Sequence, residues 1–171
     1  MKKVFIVILN FNGFEDTIAC LKSLSKLKVS RDINIEPLVI DNNSSDESVE
    51  RISKAFPEIT LIENKENLGF SGGNNEGMRY AIKSGGDYII LLNNDTIVDP
   101  DLVSEFLKAS AGDDVAGVVP KIYFAKGHEF HKDRHKESEQ GHVIWYAGGI
   151  MDWENIVGKN IIKFYIFLLK T

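Results

Sequence analysis

The stretch "DYIILLNNDT", residues 87–96, decides how the rest of the chain is read. Tyr88 to Leu92 are apolar without a break, the pattern of a strand buried on both faces rather than one. Such a strand needs cover above and below, so it belongs in a mostly parallel sheet flanked by helices. Three amide or acid side chains, Asn93, Asn94 and Asp95, then arrive together. They mark the carboxyl end of the strand, the edge at which open sheets of this kind bind ligands.

The flanking sequence repeats the pattern. "VFIVILN" (4–10) is a first two-sided strand, and "FEDTIACLKSLSKL" (14–27) carries Ile18, Leu21, Leu24 and Leu27 at helical steps. "IEPLVID" (35–41) reads as a second strand. Ser44 and Glu47 then have capping-box spacing for a helix with Val49, Ile52 and Phe56 on one face, stopped at Pro57. "ITLIEN" (59–64) is a third strand, followed by the glycine- and asparagine-rich "NLGFSGGNNEG" and a helix through Met78, Ala81 and Ile82 to Gly85-Gly86. Beyond the fourth strand (87–93), Asp99-Pro100 predicts a helix with proline in its first turn, and "VAGVVP" (115–120) predicts a fifth strand. The expected fold class is α/β, a mostly parallel sheet with helices on both faces, over residues 1–124. Residues 125–142, "AKGHEFHKDRHKESEQGH", have no period and predict a mobile polar loop. Residues 143–171 return to strand character at "VIWYAGG" and end in an apolar tail of the same domain.

Composition bounds the function. A chain of 171 residues, 43% hydrophobic and 26% charged, suits one globular domain with a real core. Its net charge of −5 argues against nucleic acid held on a basic face, so any bound phosphate must meet backbone amides, a few local cations or a divalent metal. The one cysteine, Cys20, cannot form an internal disulfide and reads as a small, half-buried filler, not a nucleophile. "MKKVFIVILN" has lysines before an apolar run, but the run is short and lacks a small-residue cleavage site, so a first strand fits better than a signal peptide. A cytoplasmic location is the default expectation.

The polar clusters fall at the strand ends: Asn10-Phe11-Asn12-Gly13, Asp41-Asn42-Asn43-Ser44, Asn64 to Asn67, and Asn93-Asn94-Asp95-Thr96. Each alone is an ordinary turn; the fold would gather all four along one edge. Neither G-x-G-x-x-G nor a P-loop follows the first strand, which disfavours a Rossmann dinucleotide enzyme and a P-loop phosphotransferase. Asp41 is placed to accept hydrogen bonds from a base or ribose, and Asp95 is a hard oxygen ligand suited to Mg²⁺ or Mn²⁺. His128, His131 and His135 sit among charged residues and do not make H-E-x-x-H, so they read as loop, not metal site. Trp145, Tyr146 and Trp153 suit either sugar stacking or core packing.

"VILNFNG", "VIDNNSSD", "ENLGFSGGNNEG" and "LLNNDT", in this order, resemble the family 2 glycosyltransferases of the GT-A fold, and the rhamnosyltransferase-like members in particular. The likeness extends from residue 4 to about 158, through "WYAGGIMDW". It implies an inverting, metal-assisted transfer of a sugar from a dTDP- or UDP-sugar to a glycan or lipid-linked acceptor, in cell-surface polysaccharide biosynthesis. It also implies roles: Leu9, Asn10 and Phe11 contact the nucleotide, Asp41 binds base or ribose, and Asn67 with the glycine segment shapes the same pocket. Asn93-Asn94-Asp95 takes the D-x-D position, with Asp95 on the Mg²⁺ or Mn²⁺ and Asn93 near the ribose. An amide in place of the first acid leaves metal binding mainly to Asp95.

The family's catalytic base is an acid beyond the sugar-nucleotide half. Here the last acids are Asp152 and Glu154, weak candidates, and "KNIIKFYIFLLKT" has none. The expectation is a truncated or frame-shifted chain, or a donor-binding half. The tail is shorter than the ~20 residues a membrane span needs; membrane-surface association at the inner face, self-association into a homodimer, and a terminal strand on the core are its readings. A noncatalytic nucleotide-sugar-binding module and a nucleotidyltransferase-like enzyme stand as alternatives, the latter weakened by the absence of a cation in "NFNGFED".

Overall fold

The computed structural model of the chain describes residues 1–112, 114–147, 149–152, 157–160 and 167–170. In chain order the elements are β1 (Lys2–Asn10), α1 (Phe14–Leu24), β2 (Ile33–Asp41), α2 (Ser48–Ala55), β3 (Thr60–Glu63), α3 (Gly69–Lys83), β4 (Tyr88–Asn93) and α4 (Leu102–Ala109). Short strands follow: β5 (Gly117–Val118), β6 (Ile122–Tyr123), β7 (Ile144–Tyr146), β8 (Gly149–Asp152), β9 (Val157–Asn160) and β10 (Phe167–Lys170). They fall into two compact units. One contains Met1–Val118 together with β10, and the other lies within Val119–Tyr165.

The first unit is an α/β sheet in the order β3-β2-β1-β4-β10-β5. Strands β3, β2, β1 and β4 run parallel, as their two-sided apolar sequences predict. Val4, Ile6, Val7, Ile8, Leu38, Val39, Ile40 and Ile90 are all 0% exposed, so the sheet centre is dry on both faces. Pro37 lies within β2 where β3 has not begun to pair, since that contact covers only Leu38–Asp41. Its missing N–H is tolerated there.

Alternation along β1 assigns the two faces. Phe5, Val7 and Leu9 pack with Ala81 and Met78 of α3, whereas Asn10 faces Thr17 of α1. The expected glycine-rich loop is in fact the start of α3, which begins at Gly69. Its glycines are close-approach positions: a Cβ on Gly73 would sit 2.3 Å from Leu9 Cδ1, and one on Gly77 2.3 Å from Val7 Cγ1. At these two positions the helix backbone therefore rests directly on the Leu9 and Val7 side chains of β1.

Several local expectations are corrected. Ser44 does not cap α2, which starts four residues later at Ser48 with Asp46 Oδ1 accepting the Ser48 N–H at 3.0 Å. Asp99-Pro100 is a turn before α4, with Asp99 Oδ1 accepting the Asp101 N–H at 2.8 Å, so the helix opens at Leu102. The buried residues of α1 are Thr17, Cys20, Leu21, Ser23 and Leu24, a stripe rotated from the expected one, with two hydroxyls and a thiol at inward positions. The fifth parallel strand shrinks to Gly117–Val118 and does not touch β4. Between them lies β10, antiparallel to both, with Leu168 opposite Ile90 and Val118. The described part of the apolar tail is thus a sheet strand that covers the outer edge of β4. No helix among the described residues is long and apolar enough to cross a membrane.

In the second unit β6 pairs with β7 and β8 with β9, both antiparallel. The Phe124 ring meets Phe130 edge-on at 5.8 Å and Trp145 at 5.6 Å, and Tyr146 is buried, so Trp145 and Tyr146 have packing roles. Trp153 lies outside the described residues. Within 125–142, a 3-10 turn at Lys132–Arg134 and a clasp give local order. Glu129 is 5% exposed and accepts the N–H groups of Gly127 at 2.9 Å and Gly141 at 2.5 Å, pinning the two ends of a 15-residue loop together. Burial opposes its charge, but the backbone N–H groups and the nearby His135 outweigh burial and hold the carboxyl below its ordinary 4.5.

Two outcomes test this packing. Ala is the better helix former by about 1 kcal/mol, yet Gly77→Ala must force a methyl into Val7, an overpacking that costs about 1–3 kcal/mol. The clash dominates, so urea unfolding should show a net loss of about 1–2 kcal/mol. The Glu129 carboxylate, depressed in the folded chain, contributes its clasp fully above pH 4.5 and loses it as pH falls through the lowered folded value. Hydrogen exchange at Gly127 and Gly141, corrected for intrinsic rate, should accelerate in that acid window, and Glu129→Gln should show the fast exchange already at neutral pH.

Candidate functional site: the carboxyl edge of the sheet

The chain moves outward from β1 to β2 and β3, then returns through α3 to place β4 on the other side of β1. That reversal makes a topological switch point at the carboxyl ends of β1 and β4, the place where doubly wound sheets bind ligands. The register makes the ends flush. Leu9 lies opposite both Ile40 and Asn93, Asn10 opposite Asp41, and Asp41 opposite Glu63. Leu9, Asn10, Phe11, Asp41, Asn67, Asn93 and Asp95 are therefore all carried at one edge of one unit.

Their surroundings differ sharply. Asn10 and Asp41 are 0% and 1% exposed. Asn10 Nδ2 donates to Asp41 Oδ1 at 2.8 Å and to Ser44 Oγ at 3.1 Å. The Ser44 hydroxyl donates to Asp41 Oδ1 at 2.6 Å, and its N–H donates to Asp41 Oδ2 at 2.8 Å. Asp41 is thus a buried carboxylate satisfied mainly from within, and its first effect is to lock the β2–α2 turn onto β1. Ser44 Oγ also accepts the Asn12 N–H at 2.9 Å, while Asn12 Oδ1 accepts the Ser45 N–H at 2.8 Å. Asn12 and Asn43 hold left-handed backbones, φ 51° and 66°, a conformation Asn tolerates better than most side chains.

A second amide cluster anchors the start of α3. Asn42 Nδ2 donates to Asn67 Oδ1 at 2.7 Å, and Asn42 Oδ1 accepts Asn64 Nδ2 at 3.0 Å and the Leu68 N–H at 3.1 Å. Asn67 Oδ1 also accepts the Gly69 N–H at 2.8 Å. Asn67 thereby sets where the helix begins, which positions the exposed Leu68 and Phe70 beside the strand ends. Phe11, 49% exposed at the end of β1, offers a second open ring at this edge.

The fourth cluster is open. Asn93 and Asn94 are half-buried and Asp95 is exposed. Asn94 Nδ2 donates to Thr17 Oγ1 at 3.2 Å and to the Gly13 carbonyl at 3.4 Å, so the turn is tied to α1. Beneath it Cys20 is 0% exposed, and burial, with the Asp95 charge second, pushes its thiol up to about 12. An inert filler was expected, and a thiol in this state is no nucleophile. Among the described residues no three His, Cys, Asp or Glu side chains gather to hold a metal, the loop histidines included. Asp152 ends β8 in the second unit, and Glu154 lies outside the described residues.

The sequence reading passed over Thr17, Ser44, Asn42 and Asn64 as individual site residues. Thr17 lies one turn before Leu21 and two before Leu24 on the helix, a polar side chain in line with two apolar ones. Ser44 was visible but fitted a capping box equally well.

The sequence profile of Glycosyl transferase family 2 matches residues 5–167. The chain belongs to glycosyl transferase family 2. Over 123 residues it is 27% identical to the low-salt glycan biosynthesis hexosyltransferase Agl10 of Haloferax volcanii, covering 71% of this chain and 37% of that protein. Its fold matches the mannosyltransferase PcManGT from Pyrobaculum calidifontis, solved with GDP-Man and Mn²⁺, at a TM-score of 0.66 and 17% identity over 98% of this chain and 44% of that one. It also matches S. aureus TarS 1-349, solved with UDP-GlcNAc, at a TM-score of 0.56 and 18% identity over 66% and 33%. These likenesses establish the GT-A type of fold. The chain spans under half the length of each of these relatives.

The buried amide–carboxylate pair is the site's weight-bearing contact. Asn10→Ala removes a donor to a buried carboxylate and an acceptor for Thr17 at once. Chemical denaturation should report a loss of about 2–3 kcal/mol, well beyond the effect of truncating the exposed Asn43.

Proposed function

We propose that this edge binds a nucleoside-diphosphate sugar and presents it for transfer to the hydroxyl of a glycan or lipid-linked acceptor. The observation that carries the reading is the register at the switch point, where Leu9 sits between Ile40 and Asn93 with the Asn10–Asp41 pair alongside. Phe11 and the Asp41 turn form the nucleoside end, Asn67 and the start of α3 its wall, and Asn93 to Asp95 the diphosphate end. Membership of glycosyl transferase family 2 supports it, as do the nucleotide sugars bound by PcManGT and TarS.

Charge requires a cation. The segments 9–13, 41–46, 63–68 and 93–96 contain Asp41, Asp46, Glu63, Glu66 and Asp95 against a single lysine, Lys65. A diphosphate entering that field is repelled unless a metal comes with it. The donor set fits a hard divalent ion of low protein ligation: one exposed carboxylate, Asp95, flanked by the Asn93 and Asn94 amides, with substrate phosphates supplying the rest. Bound there, Mg²⁺ or Mn²⁺ would stabilise charge on the leaving diphosphate. In the transfer itself the acceptor oxygen forms the new bond to the anomeric carbon, and a carboxylate base takes its proton. The bond to the diphosphate oxygen breaks with its electron pair, and the configuration inverts.

Donor binding without transfer is the second reading, favoured by one observation. Asp41 accepts hydrogen bonds within the protein, and with Asp95 assigned to the metal in this reading, neither is left as the base. Rhamnose, mannose and N-acetylglucosamine donors on dTDP, GDP and UDP test the sugar, and a product assay separates transfer from binding.

Calorimetry should show nucleotide-sugar binding that tightens about tenfold or more with Mn²⁺, and Mn²⁺ alone binding only weakly. Asp95→Ala should abolish the Mn²⁺-dependent gain while leaving the melting temperature close to wild type. Unchanged Mn²⁺-dependent affinity in that variant would falsify the assignment.

A further inference from the structure

Thr17 is buried, 0% exposed, in the first turn and a half of α1, on the same face as Leu21 and Leu24. Its hydroxyl donates to Asn10 Oδ1 at 2.7 Å, with the Gly13 carbonyl at 3.0 Å as the longer alternative. It accepts Asn94 Nδ2 at 3.2 Å. Asn10 passes the chain on through Nδ2 to Asp41 Oδ1 at 2.8 Å. Every donor along Asn94, Thr17 and Asn10 thus points towards one buried carboxylate, an alignment in which each bond polarises the next. The two ends of this chain lie on strands on opposite sides of β1: Asp41 closes β2 and Asn94 follows β4.

We propose that Thr17 is a positioning residue that couples the nucleoside end of the site to the diphosphate and metal end. It touches no ligand itself. Through Asn94 it holds the turn that carries Asp95, and through Asn10 it reaches Asp41, so one hydroxyl bridges the two halves that the strand register sets side by side. This rests on the donor-site reading above for what the halves bind, but the coupling itself belongs to the free protein.

The test has two arms, each with Thr17→Val, which keeps shape without the hydroxyl, and Thr17→Ser, which keeps the hydroxyl. In nucleotide-free protein, Thr17→Val should speed hydrogen exchange at residues 93–96 about tenfold and leave 88–92 unchanged, with Thr17→Ser close to wild type. With UDP, dTDP and GDP, the ratio of Kd without Mn²⁺ to Kd with Mn²⁺ should fall about tenfold in Thr17→Val and within about twofold of wild type in Thr17→Ser. A merely structural residue would weaken binding equally with and without Mn²⁺, and that result overturns the proposal, as does unchanged exchange at 93–96 in Thr17→Val. If the wild-type chain binds none of the three nucleotides, the donor-site reading fails, and the exchange arm alone decides whether Thr17 couples the two strand ends.

Discussion

The buried contact between Asn10 and the Asp41 carboxylate is the constraint on which the rest of the edge depends. A carboxylate that is 1% exposed is costly unless its oxygens are met by donors. Asn10 and Ser44 meet them, and doing so fixes three things at once. The end of β1 is held level with the end of β2, the turn before α2 is folded back over Asn12, and the side-chain Oδ1 of Asn10 is left free to receive Thr17. An apolar pair at these positions would pack the strands as well, but would leave the turns without a shared anchor.

The same economy governs the other face of the sheet. The glycines of α3 let the helix backbone descend onto Leu9 and Val7, which brings the helix start down to the strand ends. There the amides of Asn42, Asn64 and Asn67 settle where the helix begins. One face of β1 is therefore tied to the site by hydrogen bonds through α1, and the other by steric closeness through α3. Between them the exposed pieces, Phe11 and Asp95, sit on turns whose backbones are determined from below. That division, rigid support with open side chains, suits a site that must accept a ligand without rebuilding itself.

The parallel core was legible because two-sided strands have a pattern that a helix or half-exposed strand does not share. Continuous apolar runs at 4–9 and 88–92, shorter ones at 38–40 and 61–62, and an Asn or Asp close after each made both the sheet and its candidate edge readable. What escaped the sequence were choices that tertiary contacts make. Ser44 has capping-box spacing, yet the buried charge of Asp41 is a stronger claimant for its hydroxyl than a helix end. Gly73 and Gly77 read as loop because glycine is a poor helix former, but intimate packing on β1 outweighs that propensity. The place of β10 was not readable at all: a short apolar segment far along the chain has no local feature that names the strand edge it will join. At the candidate site, Asp41 and Asp95 stand out in the sequence by their positions after the second and fourth strands. Thr17 was hidden because a hydroxyl's role depends on partners 7 and 77 residues away.

The central claim is that four strand ends, held together by the Asn10–Asp41 contact, make one ligand site. Chemical-shift mapping of the isotopically labelled chain, titrated with UDP, dTDP or GDP in the presence of Mg²⁺, tests it most directly. The account predicts saturable shifts confined to residues 9–13, 41–46, 67–71 and 93–96, moving with a single dissociation constant. Shifts scattered over the lysine-bearing surface, or confined to one of the four segments, would contradict it.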